Sequence, residues 1–139
     1  MFANSRFPMA IHVLCALAHR DDVVDSGTLA ESVGTSPSFL RVLIGDLREA
    51  GLVETRRGQD GGTILAVPAR RITLHDVARA TEPEGILIPH DLDYAGDDPV
   101  ANAMSGILDD LDARLVDALS AELARTTVAE LLRDHVEKE

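Results

Sequence analysis

The chain of 139 residues has few aromatic side chains, one cysteine and no long apolar run. Only 3% of its residues are aromatic and none is Trp, so a core must consist mainly of Leu, Val, Ile and Ala. The single cysteine, Cys15, excludes an internal disulfide and does not support a secreted protein. Without an apolar stretch of about 18 residues or a signal-like N-terminus, we expect a cytoplasmic protein with no membrane partner.

Acidic residues outnumber basic ones, but the excess is unevenly distributed. The net charge of −11 argues against a general polyanion binder. Residues 86–139 contain thirteen acids and four Lys or Arg, whereas residues 1–85 contain eleven acids and nine Arg. Within residues 36–72, six Arg outnumber four acids. This pattern fits a DNA-binding protein whose acidic half faces away from DNA, and it equally fits an ordinary acidic cytosolic domain.

Periodicity predicts a pair of helices at the start of the chain. Residues 7–19 are apolar nearly all round, which is typical of a helix that is buried on several sides. A second helix is expected to begin near Ser26 or Thr28, with Ser26 as a suitable N-cap, and to end at Gly34.

The third helix has the clearest start signal and two distinct faces. We expect Ser36 to cap a helix that begins at Pro37 and runs to about Ala50. Helical spacing places an apolar stripe on one side: Leu40, Leu43, Leu47 and Ala50. The opposite side carries Ser38, Arg41, Val42, Gly45 and Arg48. In a helix-turn-helix the second helix of the pair enters the major groove with its N-terminal residues, whereas an ordinary helical hairpin is the alternative interpretation.

A glycine-rich hairpin follows the third helix. Gly51 lies where a helix-ending glycine belongs, and strands are expected at Leu52–Arg56 and Thr63–Val67. The tip, residues 57–62, places Arg57 beside glycines that let the backbone approach phosphate, and such an arginine can enter the minor groove. A tight hairpin with solvated arginines is the alternative, but the helix pair, hairpin and arginines in this order favour a winged helix-turn-helix.

The acidic half is predicted to contain a connector and a long amphipathic helix. A short helix over 73–81 precedes an irregular connector over 82–99, a long helix over 100–125 and a last helix opened by a capping box at 127–130.

The long helix has an apolar stripe that must be covered. We expect it to form a dimer interface, with packing on its own domain as the alternative: Met104, Leu108, Leu111, Leu115 and Leu119. The expected organisation is a DNA-binding domain over residues 1–82, a connector over 83–99 and a dimerisation segment over 100–139.

The candidate reactive groups favour structural roles. Cys15 is interpreted as a buried small hydrophobe, because a thiol sensor needs exposure and a neighbouring cation. Four connector residues are conceivable ligands of a divalent metal, although a solvated acidic loop is favoured: His90, Asp91, Asp93 and Asp98. No nucleophile–base pair or phosphate-binding loop is visible, so we do not expect an enzyme.

Several segments resemble the Rrf2 family of bacterial winged-helix regulators, over nearly the whole chain. The most specific is Arg57-Gly58-x-x-Gly61-Gly62 after Ala50-Gly51-Leu52-Val53, and the supporting segments are Ala10–Ala18, Leu29–Glu31, Ser36–Leu47, Ile72–Val77 and Glu122–Val128. The resemblance implies a mainly α fold with a small β-hairpin wing, in which the recognition helix and wing bind palindromic promoter DNA and the long helix forms the dimer.

The resemblance also implies particular site residues. By position, the helix contacts are Ser36, Ser38, Phe39 and Arg41, the wing contacts are Thr55 and Arg57, and the hairpin itself adds Arg56 and Gly58. Many members hold an iron–sulfur cluster on three connector cysteines, but residues 82–103 contain none, so no cluster is expected. Where cluster-free members often keep a Cys-Pro-Val-Gly-like stretch, residues 98–101 read Asp-Pro-Val-Ala.

Taken together, the sequence predicts a homodimeric transcriptional regulator that represses from a palindromic operator in double-stranded DNA. The alternative is a winged-helix ligand-sensing or protein-interaction module with weak or no DNA binding. The target genes and any small-molecule effector are left open.

Overall fold

The structure, a computed structural model, describes residues 2, 4–82, 84–92 and 96–137. These residues form six α-helices, a 3₁₀ turn and one hairpin: α1 (Arg6–Arg20), α2 (Ser26–Val33), α3 (Pro37–Glu49), β1 (Val53–Arg56), β2 (Gly62–Leu65), the 3₁₀ turn (Ala69–Arg71), α4 (Leu74–Thr81), α5 (Pro99–Leu123) and α6 (Val128–His135). The predicted mainly α fold with a small hairpin is confirmed, and the element ends agree within about two residues.

Helix α1 lies at the centre of the core. Four of its residues are buried, Ala10, Val13, Leu14 and Leu17, and the helix contacts α2, α3, α4, α6 and β2. Contact on so many sides explains why this segment is apolar nearly all round. Since burying one Leu or Val side chain contributes roughly 1.5–3 kcal/mol, α1 supplies a large share of the apolar stabilisation.

The start of α2 differs from the prediction. The N-cap is Asp25, not Ser26 or Thr28, and Ser26 is the first helical residue. The Asp25 carboxylate accepts hydrogen bonds from the Thr28 N–H at 3.0 Å and the Thr28 hydroxyl at 2.6 Å. An Asp in this place satisfies a free N–H of the first turn and also places negative charge at the positive end of the helix dipole.

Helix α3 shows the two predicted faces, with one exception. Leu40, Leu43 and Leu47 are buried, whereas Ala50 is exposed because it is already the C-cap. Gly51 follows with a φ of 78°, the left-handed conformation expected of a residue that ends a helix. An ion pair between Arg6 and Asp46 joins α1 to α3.

The last helix, α6, packs against elements from the first part of the chain. The Leu74 N–H donates to the Thr126 carbonyl at 3.0 Å, and the Val128 N–H donates to the Ile72 carbonyl at 2.8 Å. These bonds form the bridge between Thr73 and Thr127, which places α6 against α1 and the 3₁₀ turn, with Val128 fully buried. The sequence indicated the capping box of α6, but neither this bridge nor the 3₁₀ turn.

Helix α5 is attached more loosely than any of the others. It packs against α4, and the Ile86 and Leu87 N–H groups each donate to Asp112 Oδ1 at 2.7 Å. These two bonds, from Leu87 and then Ile86, lower the pKa of the Asp112 carboxyl. No residue of α5 is buried within the described single chain. None of the helices in the described ranges combines the length and apolarity that crossing a bilayer requires.

Candidate nucleic-acid interface

A groove of about 550 Å³ lies between the exposed face of α3 and the hairpin. We call it the arginine groove, because four arginines line it: Arg41 and Arg48 from α3, and Arg56 and Arg57 from the hairpin. All four side chains are exposed. The surface is therefore locally basic in a chain whose net charge is −11.

Only one carboxylate is among the residues that line this groove, and it is already engaged. Asp25 caps α2, and the hydrogen bonds from the Thr28 hydroxyl and N–H lower its pKa. None of the ion pairs found among the described residues involves an arginine of the groove. The positive charges are thus available to an external anion such as phosphate.

The hairpin needs glycine where its tip meets β2 because other backbone comes very close. A Cβ on Gly62 would collide with the Val24 carbonyl, and a Cβ on Gly61 would collide with the Arg56 carbonyl. The Val24 and Thr63 backbones exchange two hydrogen bonds, each of 2.9 Å, which join the segment before α2 to β2. This bridge, absent from the sequence prediction, fixes the hairpin relative to the helix pair.

The structure brings together most, but not all, of the predicted contact residues. Five line the arginine groove: Arg41, Thr55, Arg56, Arg57 and Gly58. Ser36, Ser38 and Phe39 lie at the N-terminal end of α3, outside the lining of the groove. Ser36 and Ser38 are exposed and Phe39 is half-buried. The Ser36 hydroxyl oxygen accepts from the Phe39 N–H at 3.1 Å, which leaves the hydroxyl proton free to be donated.

Arg48 is a groove residue that was not among the predicted contacts. Its Nη1 donates to the Thr55 hydroxyl oxygen at 3.3 Å, so it connects α3 to β1. The sequence contained a usable signal, because Arg41 and Arg48 are seven residues apart and therefore share a helix face.

Among the described residues, the candidate reactive side chains are not brought together into a site. Cys15 is half-buried against the core, and burial raises the pKa of its thiol, which is opposite to the shift that activates a sensor cysteine. In the part of the chain that the structure describes, no three or more His, Cys, Asp or Glu side chains are grouped so that they could hold a metal ion. Asp93, one of the conceivable ligands, lies outside the described residues.

Comparison with known proteins gives a family and several relatives. The model of the Rrf2 family, described as an iron-dependent transcriptional regulator, matches residues 3–134. YwnA of Bacillus subtilis, named as an HTH-type transcriptional regulator, is 30% identical over 129 residues, which are 93% of this chain and 96% of that protein. A Neisseria meningitidis protein with the same kind of name is 39% identical over 79 residues, so the match spans 57% of this chain and 53%, about half, of that relative. The solved structure of CymR, the global cysteine regulator of B. subtilis, is similar with a TM-score of 0.67 and 25% identity, covering 94% of this chain and 95% of that one.

Proposed function

The chain belongs to the Rrf2 family of transcriptional regulators, and on that basis we propose that it is a homodimeric repressor that binds a palindromic operator. The family consists of DNA-binding regulators and not of enzymes. The proposal places the protein in the bacterial cytoplasm, where its DNA target lies. The observation that carries it is the arginine groove.

The arginine groove supports contact with both grooves of double-stranded DNA. With α3 in the major groove, Ser36, Ser38 and Arg41 would face base edges or phosphates near the helix N-terminus. The hairpin would then lie beside the backbone, with Thr55 at a phosphate and Arg57 in the minor groove. Four exposed arginines on one surface of an acidic chain are better explained by phosphate binding than by general solubility.

The uncovered stripe of α5 supports a second copy of this chain as the partner. Leu111 and Leu115 are 40% and 37% exposed, and Ile107 is 52% exposed beside them. Met104, Leu108 and Leu119 of the predicted interface are half-buried. A helix of 25 residues is about 37 Å long, which lets two copies pair along several turns. Isologous pairing of this stripe would cover it and create the two-fold symmetry that a palindrome requires.

The iron dependence in the family's description does not fit the donor set of this chain. An iron–sulfur cluster is held by several thiolates, and the only cysteine is Cys15. Cys15 is on α1 and packs against the core, far along the chain from the connector. We therefore propose that this member responds to a signal other than a cluster built on three cysteines.

Binding to the protein's own promoter region tests the proposal. Fluorescence anisotropy with a labelled promoter fragment should show tight binding at low salt, and a shuffled fragment of equal length serves as the control. Eight groove arginines per dimer set a steepest slope of log affinity against log salt of about −7, at roughly −0.9 per phosphate contact, and the slope becomes shallower for each arginine that contacts a base instead of a phosphate.

Failure to prefer the promoter fragment at low salt would contradict the proposal and favour a winged-helix ligand-sensing or protein-interaction module. Repression is tested separately with a reporter driven by the same promoter. Its expression should rise in a strain that lacks the regulator, whereas a fall would identify an activator.

A further inference from the structure

A second cavity, of about 600 Å³, lies between α4 and α5 and is separate from the arginine groove. Its charged lining is strongly biased towards carboxylates. Glu82, Glu84, Asp112 and Asp117 line it together with a single arginine, Arg79, and His75. A cavity with this balance attracts cations and disfavours anions.

Glu82 is the distinctive member of this lining. The residue is only 9% exposed, and its Oε2 accepts a hydrogen bond from the Phe2 N–H at 3.0 Å. Its Oε1 is buried and has no hydrogen-bond partner within the described part of the chain. An unpaired buried carboxylate oxygen is costly, so a cationic donor that reaches Oε1 after a small shift of the Glu82 side chain would be stabilising.

The position of Glu82 at the end of α4 also favours the binding of a cation. Glu82 is the C-cap of α4, where the helix dipole contributes partial negative charge. A positively charged group at Glu82 would therefore meet both the carboxylate and the negative end of the helix.

The rest of the cavity indicates an organic cation and not a bare metal ion. The described residues contain no group of carboxylates, His or Cys arranged closely enough to hold a metal ion. The cavity also has an apolar wall that includes Ala78, Val116 and Leu123. We propose that this cavity binds a small organic cation, an amine or guanidine with an apolar body, whose charged group pairs with Glu82.

The position of the cavity between α4 and α5 indicates how a bound cation would influence α3. Helix α4 packs against α3 as well as α5, so an occupant would contact an element that supports Arg41 and Arg48. This regulatory consequence rests on the proposed function, whereas the binding site itself does not. The test therefore measures binding to the full chain in the absence of DNA.

Isothermal titration calorimetry with benzylamine, cyclohexylamine and phenethylamine tests the site, and the alcohols of the same carbon skeletons are the controls. We expect the amines to bind about tenfold or more tightly than the alcohols, because only they provide a charge-assisted hydrogen bond to Glu82. Absence of binding by all three amines, or equal affinity for amines and alcohols, would overturn the proposal.

Three variants locate the site. Glu82→Gln keeps an oxygen that can accept from the Phe2 N–H but removes the charge, so amine affinity should fall about tenfold. Ala113→Lys adds an ammonium group on the exposed α5 wall of the cavity, leaves Glu82 intact, and should also weaken binding. Glu137→Gln, at an exposed residue outside the cavity lining, should bind amines like the unchanged protein. Undiminished amine affinity in Glu82→Gln or in Ala113→Lys would refute the assignment.

Discussion

The four arginines that line the groove are held in different ways, and this difference determines what each can contribute. Arg48 is joined to the Thr55 hydroxyl oxygen at 3.3 Å, so part of its donor capacity serves the contact between α3 and β1. Arg57 is the first residue after β1 and is exposed at the hairpin tip. Since its side chain is not needed for packing, we expect its charge to serve DNA and not the fold.

Replacing Arg57 tests this separation at the level of one residue. Arg57→Ala should weaken operator binding by about 1–3 kcal/mol for each half-site, because each protomer loses its minor-groove contact, and should leave the thermal midpoint unchanged. The measurements are anisotropy titrations and thermal unfolding followed by circular dichroism. Arg70→Ala is the matched control, since Arg70 is exposed but does not line the arginine groove. A lowered thermal midpoint in Arg57→Ala, or an equal loss of affinity in Arg70→Ala, would contradict the assigned role.

At the scale of elements, the hairpin is part of a larger unit than β1 and β2 alone. The bridge between Val24 and Thr63 adds a short third segment to the sheet. The Arg48–Thr55 contact connects the other strand to α3. The hairpin is therefore tied to the helix pair through both of its strands, which suits a wing that must keep a fixed distance from a recognition helix.

The sequence predicted the elements well because their signals are local. Ser36 before Pro37 and Gly51 after α3 act through their immediate neighbours, and both were recognised. The α2 cap was misassigned because Asp25 and Ser26 are both good caps, and only the hydrogen bonds to Thr28 distinguish them. The Val24–Thr63 and Thr73–Thr127 bridges join segments distant in sequence, so no local pattern encodes them.

The uncovered apolar stripe of α5 gives a prediction about dimer formation. Leu115→Glu should yield monomers, because a carboxylate in an apolar interface would lose water without gaining a partner. Size-exclusion chromatography with light scattering measures the mass. Ala121→Glu adds the same charge at an exposed position on another side of α5 and should leave the dimer intact. If the mass of Leu115→Glu equals that of the unchanged protein, α5 is not the interface.

At the scale of the whole molecule, α6 joins the C-terminal end of the chain to the N-terminal core. Val128 is fully buried and Leu132 is 5% exposed, although both come from the acidic half of the sequence. The N-terminal helices and hairpin thus share one core with the last helix, while α5 lies outside that core. The basic hairpin and the last helix are therefore built on the same core, although they lie in opposite halves of the sequence.

Shortening the Leu132 side chain tests how much the packing of α6 contributes to the stability of the fold. Leu132→Ala should lower the free energy of unfolding by about 2–5 kcal/mol, through lost burial and the cavity that remains. Val136→Ala is the control, since Val136 is 53% exposed and should change stability by no more than about 0.5 kcal/mol. Urea unfolding at one fixed protein concentration keeps any dimer contribution constant. A small effect of Leu132→Ala would mean that α6 is dispensable for the core.

The contact between α6 and α1 also sets an order of events during synthesis on the ribosome. α1 is made first, and the residues of α6 that cover it follow more than a hundred positions later. At about 5–20 residues per second, the face of α1 that α6 covers waits roughly 5–20 s for its partner. Because α5 precedes α6 in the chain, every polypeptide that completes its core already carries the helix proposed for pairing. A nascent chain would therefore complete its DNA-binding domain only after it has made the helix through which it is proposed to pair with a second copy.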